Sequence, residues 1–315
     1  MQVPSIGTRL PAPPVPAWLA HELSGLRRSR IQVGRWAMHV MESGPPDDPN
    51  PLVMVHGNPT WGFLWRRVVR ALGSGRRVIL PDLVGLGLSD HPADPACHTL
   101  VDHAAWLSAL LQSLALQRID LVVQDWGGPI GVLAQRQSGV DMRGLVVLNT
   151  VLFPPREGFR PTLFHRSARW PGVSEVMFRG LGFPQNVLAV AQGDPRSLLG
   201  VAGRAYRWPL RRWSMNAAPL ALARMVPDGP DHPSMAPLQE VGEHVAAWRG
   251  PTAIVWGDRD PILGRVRGHM ERVLPHARVW RTSAGHFLPE EVPEVIAEAI
   301  AHVHAEAGAA GPAES

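Results

Sequence analysis

From about Ile31 onward, short aliphatic runs alternate with longer amphipathic stretches, and this alternation limits the chain to a mostly parallel sheet with helices on both faces. The predicted strands are 52–55, 77–80, 119–123, 144–148, 252–256 and 277–281, and their near-continuous Val, Ile and Leu suit strands covered on both sides. An antiparallel pair is expected within 31–41. Leu100, His103, Leu107, Leu110, Leu111 and Leu114 recur at helical spacing, with Thr99 placed to cap that helix and Asp102 three residues on. Residues 154–230 break the pattern with frequent Pro and Gly and with the pairs Arg169-Trp170, Arg207-Trp208 and Arg212-Trp213. They read as an inserted helical cap, leaving 1–153 and 231–304 as the core and 305–315 as a small, polar, disordered tail.

Every fixed cation among the 31 Lys+Arg residues is an arginine. A chain without lysine has no Walker A lysine, no pyridoxal Schiff base and no Ser-Lys dyad. The net charge is only +4, and the arginine runs at 27, 28 and 30, at 66, 67 and 70, and at 204, 207, 211 and 212 read as solvated helix faces. Nucleic acid is therefore not an expected partner. A single cysteine, Cys97, excludes an internal disulfide and fits a reducing compartment. No apolar run approaches the ~20 residues of a membrane span, and residues 1–25, with five prolines, lack the pattern of a signal peptide, so a cytoplasmic location without membrane contact is expected. His302 and His304 stand without any HExxH or CxxC, so neither a metal nor another cofactor is expected.

Reactive residues gather where the predicted strands end, which is where open parallel sheets bind ligands. The strand 119–123 runs into Gln124-Asp125-Trp126-Gly127-Gly128 and then a helix, the strand-turn-helix context of a nucleophile elbow with Asp in the nucleophile slot. An aspartate opening a helix is also a plain N-cap. As a nucleophile, a carboxylate attacks an sp3 carbon in line with a leaving group and forms an alkyl ester. His286, in Ser283-Ala284-Gly285-His286-Phe287 beyond the last strand, is the expected base. The acid that holds its tautomer is expected after the strand 252–256, because the alternative position after 144–148 holds Asn149 and Thr150; there Asp260, three past the glycine that ends the strand, is preferred to Asp258, which sits in the turn.

With these residues in view, the chain resembles the haloalkane dehalogenases of the α/β-hydrolase fold. The matching blocks are His56-Gly57-Asn58-Pro59-Thr60-Trp61 with Trp65-Arg66, 81–90 (PDLVGLGLSD), Val123 to Gly128, and Gly285-His286-Phe287. Arg224-Met225-Val226-Pro227-Asp228 and the acid after the later strand are similar to the third subgroup of that family. The resemblance implies a small halogenated aliphatic substrate, with halide and water as the other small molecules at the site. It also implies an Asp125–His286–Asp260 triad, a halide clamp from the Asn58 amide and the Trp126 indole, and an oxyanion hole from the backbone N–H groups of Asn58 and Trp126. Assembly into homo-oligomers is implied too. Phe153, Phe164, Leu263 and Phe287 are the candidates to line an apolar pocket.

Two alternatives follow from the same residues. An epoxide hydrolase shares the Asp nucleophile but usually activates the ring oxygen with two cap tyrosines, and this chain has only Tyr206. A non-catalytic receptor on the same fold is expected to lack a triad member, whereas Asp125, His286 and Asp260 are all present.

Overall fold

Successive side chains of a strand point to opposite faces, so an unbroken apolar run has to be covered twice. The computed structural model, which describes residues 4–309, shows this double cover. Its nine strands are β1 (Arg9–Pro11), β2 (Arg27–Val33), β3 (Trp36–Ser43), β4 (Leu52–Val55), β5 (Val78–Pro81), β6 (Arg118–Gln124), β7 (Asp141–Leu148), β8 (Thr252–Gly257) and β9 (Arg278–Thr282). Val53, Val55, Leu121, Val123, Val147 and Ile254 face one core layer, closed by the helices Leu100–Ser113, Gly127–Ser138 and Met235–Ala247. Their neighbours Leu52, Met54, Val122, Val146 and Val255 face the other, closed by the helices Arg66–Leu72 and Pro293–Ala309.

The strands form one sheet in the order β1-β2-β3-β5-β4-β6-β7-β8-β9. β1 to β3 and β5 pair antiparallel, while β4 runs parallel to both β5 and β6 and the remaining pairs are parallel. All six expected parallel strands are present with small shifts at their ends. The antiparallel pair starts earlier than expected, at Arg27, and the edge strand β1 lies in a proline-rich stretch that carries no strand pattern. Arg27, Arg28 and Arg30 are thus on a strand and not on a helix face, and Arg66 is buried rather than solvated. Thr99 caps its helix as expected: its hydroxyl oxygen accepts the Asp102 N–H at 3.1 Å and its O–H donates to the Asp102 carboxylate at 2.6 Å.

Between β7 and the helix Met235–Ala247, residues 154–230 contain no strand; they form short helices, among them Leu163–Ser167, Val201–Arg207 and Ala217–Arg224. The last helix continues through Ala309, so the expected disordered tail is helical over 305–309, and 310–315 lie outside the described residues. Among the described residues no helix is long and apolar enough to cross a membrane.

One buried ion pair ties three parts of the chain together. Glu290, 1% exposed, accepts both terminal nitrogens of Arg66 (2.5 and 3.0 Å) and the Tyr206 hydroxyl (2.6 Å). It thereby joins the helix Arg66–Leu72 and the helix Val201–Arg207 to the loop that carries His286. Burial drives the Tyr206 hydroxyl well above its ordinary pKa, and the adjacent Glu290 adds to this, so it stays a protonated donor. Glu290→Ala leaves the buried Arg66 guanidinium with only its longer 3.4 Å contact to Glu22 and is expected to lower unfolding stability by about 3 kcal/mol, with Glu290→Gln losing less. Urea denaturation of the three proteins measures this.

Candidate active site

β4 lies where the strand order reverses, with β5 on one side and β6 on the other, so the crevice for a ligand opens beyond the carboxyl ends of β4 and β6. Asn58 follows β4 and Asp125 follows β6, which brings the two side by side. Asp125 has φ +51°, a left-handed backbone uncommon for a residue with a side chain. Three hydrogen bonds hold it there: its N–H donates to Asn149 O (3.1 Å), and its carbonyl accepts from Gly128 N–H (3.0 Å) and the Thr150 hydroxyl (2.5 Å). Glycine at 127 lets the following helix rest on the Val55 carbonyl, and glycine at 57 leaves room for the Asp125 carboxylate; a Cβ at either place collides with those atoms. The carboxylate is raised above the sheet, with Oδ1 accepting the Asn58 backbone N–H at 2.7 Å.

His286 is 1% exposed and sits between two carboxylates. Its Nε2 is 3.4 Å from Asp125 Oδ2 and its Nδ1 is 2.8 Å from Asp260 Oδ2. Burial alone depresses an imidazole, but Asp260 and Asp125 outweigh it and push His286 up to about 10. Burial likewise penalises the Asp260 carboxylate, yet the His286 charge and the N–H groups of Ile262 (2.7 Å) and Leu263 (3.1 Å) hold it below its usual range. Asp258 lies outside this arrangement, paired with Arg267 (3.2 Å) and Arg281 (3.0 Å) and not with its neighbour Arg259.

Residues that sequence reasoning passed over position these groups. Asn149, buried at the end of β7 with φ +28°, donates to Asp260 Oδ2 (2.8 Å) and Gly285 O (3.2 Å) and accepts Gly257 N–H (2.9 Å). Its place at a strand end was the available signal. Gln192, from the helical insertion, accepts Phe287 N–H at 2.9 Å and donates to Phe287 O at 3.3 Å, while His286 N–H donates to Ala191 O at 2.8 Å. Gln124 donates to His286 O at 3.1 Å.

A cavity of about 750 Å³ opens above Asp125 and Trp126, walled by Phe153, Leu238 and Leu263 among others. The Trp126 indole and backbone N–H groups donate to no acceptor among the described residues, so both remain free for a ligand. Asn58 borders Asp125 without lining the cavity; its amide donates to Pro219 O at 3.1 Å, which leaves one amide hydrogen uncommitted. Phe153 and Leu263 line the cavity as expected, but Phe164 and Phe287 do not. Phe164 packs on Phe178 and Phe183, and Phe287 is buried in the core layer closed by the helices Arg66–Leu72 and Pro293–Ala309, edge-on to the His286 ring, so each is taken up by packing away from the cavity. His165, not anticipated, also lines the cavity; burial lowers its pKa to about 4, and its Nδ1 lies 2.7 Å from the Thr162 hydroxyl. Among the described residues no three His, Cys, Asp or Glu are grouped to hold a metal; His302 and His304 pair separately with Glu306 and Asp120.

The model of the α/β-hydrolase fold family matches residues 50–293. The chain is 34% identical over 270 residues to a haloalkane dehalogenase of Mycobacterium marinum, covering 84% of this chain and 87% of that protein. The chain belongs to the haloalkane dehalogenase family. Within that wider likeness, a cis-3-alkyl-4-alkyloxetan-2-one decarboxylase of Xanthomonas campestris is 32% identical over 275 residues, covering 84% of this chain and 91% of that one. The crystal structure of a haloalkane dehalogenase from Bradyrhizobium elkani superposes with a TM-score of 0.79 at 26% identity, over 91% of this chain and all of that one.

The raised pKa of His286 links the site to stability. A group protonated more readily in the folded than in the unfolded chain stabilises fully below its unfolded pKa, about 6.5, and loses that contribution as pH climbs towards about 10. The melting-temperature advantage of wild type over His286→Gln is therefore expected to be greatest near pH 6 and to shrink steadily up to pH 10. An advantage that grows with pH contradicts the assignment.

Proposed function

We propose that the protein hydrolyses carbon–halogen bonds of aliphatic halides through an alkyl ester on Asp125, with 154–230 acting as a cap over a core formed by 1–153 and 231–304. The observation that carries this reading is the Asp125 carboxyl group set on a strained turn at the floor of an apolar cavity, beside a free indole N–H and 3.4 Å from a carboxylate-backed histidine. In the first step an Asp125 oxygen forms a bond to the substrate carbon while the carbon–halogen bond breaks and the halide leaves with the electron pair. The Trp126 indole and the remaining Asn58 amide hydrogen stabilise the departing anion, and neither is a base that competes for the carbon. In the second step water adds to the ester carbonyl and its proton passes to His286, the oxyanion is held by the backbone N–H groups of Asn58 and Trp126, and the acyl carbon–oxygen bond then breaks, the alkoxide taking the proton from His286 to leave as the alcohol and restore the Asp125 carboxyl group.

The two carboxylates give the histidine a switch between these steps. The Asp260 and Asp125 carboxylates both raise the His286 pKa; esterification removes the Asp125 contribution, so the ring gives up its proton to solvent more readily and becomes a better base for the second step. Epoxide opening is disfavoured because Tyr206, the chain's single tyrosine, is fully buried and donates to Glu290 instead of facing the cavity. Decarboxylation of a dialkyl oxetan-2-one is the second reading, favoured by the likeness to the Xanthomonas protein and by the fact that such a ring also offers an sp3 carbon–oxygen bond to a carboxylate nucleophile.

A panel of bromoalkanes scored for bromide, beside a dialkyl oxetan-2-one scored for alkene and carbon dioxide, separates the readings. Bromide release is expected; alkene without bromide moves the assignment to the second reading, and no turnover at all leaves the receptor alternative. Asp125→Asn is expected to lose turnover by at least about 10³-fold. His286→Gln is expected to release at most one bromide per chain and to carry the alkyl group on Asp125, as read by mass spectrometry of the peptide. An unmodified Asp125 in that variant refutes the covalent route.

A further inference from the structure

The apolar cavity ends in a cationic mouth. Arg156, Arg160, Arg265 and Arg272 all line it, all are exposed, and none makes an ion pair among the described residues. Glu157 is the single carboxylate at that end; the other carboxylate of the lining, Asp125, lies at the floor. Three other arginines are neutralised: Arg66 by Glu290, Arg169 by Asp228, and Arg267 by Asp258 and Glu271.

Two of the four mouth arginines are placed by contacts that leave their charge unspent. Arg156 donates to His269 Nδ1 at 3.1 Å, and the His269 ring packs on Phe153, with ring centroids 3.9 Å apart. Arg265 lies 5.6 Å from the centroid of the Phe159 ring. The histidines of the lining add no compensating or competing charge, since burial and then the neighbouring arginines lower His269, and burial holds His165 at about 4. The result is a shaft with one anion at its base, apolar walls and an excess of guanidinium at its outer end.

A neutral alkyl halide gains nothing from such a mouth. Guanidinium groups are planar donors matched to carboxylates, and they attract an anion along the entry path before contact. We propose that the preferred substrate is a halogenated aliphatic chain carrying a carboxylate at the end remote from the halogen: the carbon–halogen bond lies against Asp125 and Trp126 while the carboxylate is held among Arg156, Arg160, Arg265 and Arg272. This specificity rests on the carbon–halogen reading of Asp125 given above. The arginines take no part in the bond exchange; they set which chain enters and which end goes in first.

The test compares ω-bromocarboxylates of six and ten carbons with bromoalcohols of the same lengths, neutral at the same terminus. At low salt kcat/KM for one of the carboxylates is expected to exceed that of its alcohol by on the order of tenfold or more. The ratio is expected to fall towards one as ionic strength approaches about 1 M, where screening reaches ~3 Å. Arg160→Gln is expected to lower the ratio and Arg160→Gln/Arg265→Gln to lower it further, with both variants checked for wild-type circular dichroism. A second measurement is independent of turnover: calorimetric titration of octanoate and of octan-1-ol, where octanoate is expected to bind more tightly and to lose that margin in the double variant. Equal kcat/KM for acid and alcohol, or a margin that survives the double substitution, overturns the carboxylate mouth while leaving carbon–halogen hydrolysis intact. Absence of bromide from every substrate overturns the hydrolysis reading instead, and the octanoate titration then decides the mouth alone.

Discussion

An imidazole held between two carboxylates, with almost no access to water, is the interaction around which this molecule is arranged. Two like charges close to one another in a dry site repel, and a positive charge on the His286 ring, set between Asp125 and Asp260, offsets that repulsion. The three residues come from loops after β6, β8 and β9, so the attraction also holds three strand ends in register. Asn149, just after β7, supplies the fourth connection: its side chain binds Asp260 and the backbone of Gly257 and Gly285, and its carbonyl accepts the Asp125 N–H. The site is therefore a structural joint as well as a place for chemistry.

The strands of the parallel sheet were legible because burial on both faces leaves a continuous aliphatic run that few other structures need. Asp125 and His286 were legible for a related reason: Asp125 follows its strand end directly and His286 lies in the short loop after β9, with Gly127 and Gly285 nearby where the backbone has to come close. β1 left no such trace, being three residues long at the sheet edge with two of them exposed. The arginine runs misled because charge spacing alone does not distinguish a helix face from an edge-proximal strand, or a solvated cation from one buried on a carboxylate 224 positions away, as Arg66 is on Glu290.

The residues of the insertion were the least legible. Phe164 looked like a pocket residue on composition, but whether an aromatic ring faces a cavity or a neighbouring ring depends on how short helices pack, and these lack a long repeating pattern. Gln192 and His165 carried no signal at all in isolation: a glutamine that clasps one backbone unit and a histidine held neutral by burial are defined by partners far along the chain. Tyr206 was noticed for its rarity, and its burial against Glu290 turned that rarity into an argument about the reaction.

The clasp between Gln192 and Phe287, together with the close stacking of Gly285 on residues 191–193, bears on how such proteins can be recombined. An insertion that looks modular in the linear sequence is here part of the mount for the histidine. A chimera that exchanges the whole insertion for that of a relative therefore disturbs the ring's seating unless the donor segment brings an equivalent clasp, whereas the exposed stretch at 156–160, which makes none of those contacts, can be exchanged without touching that mount.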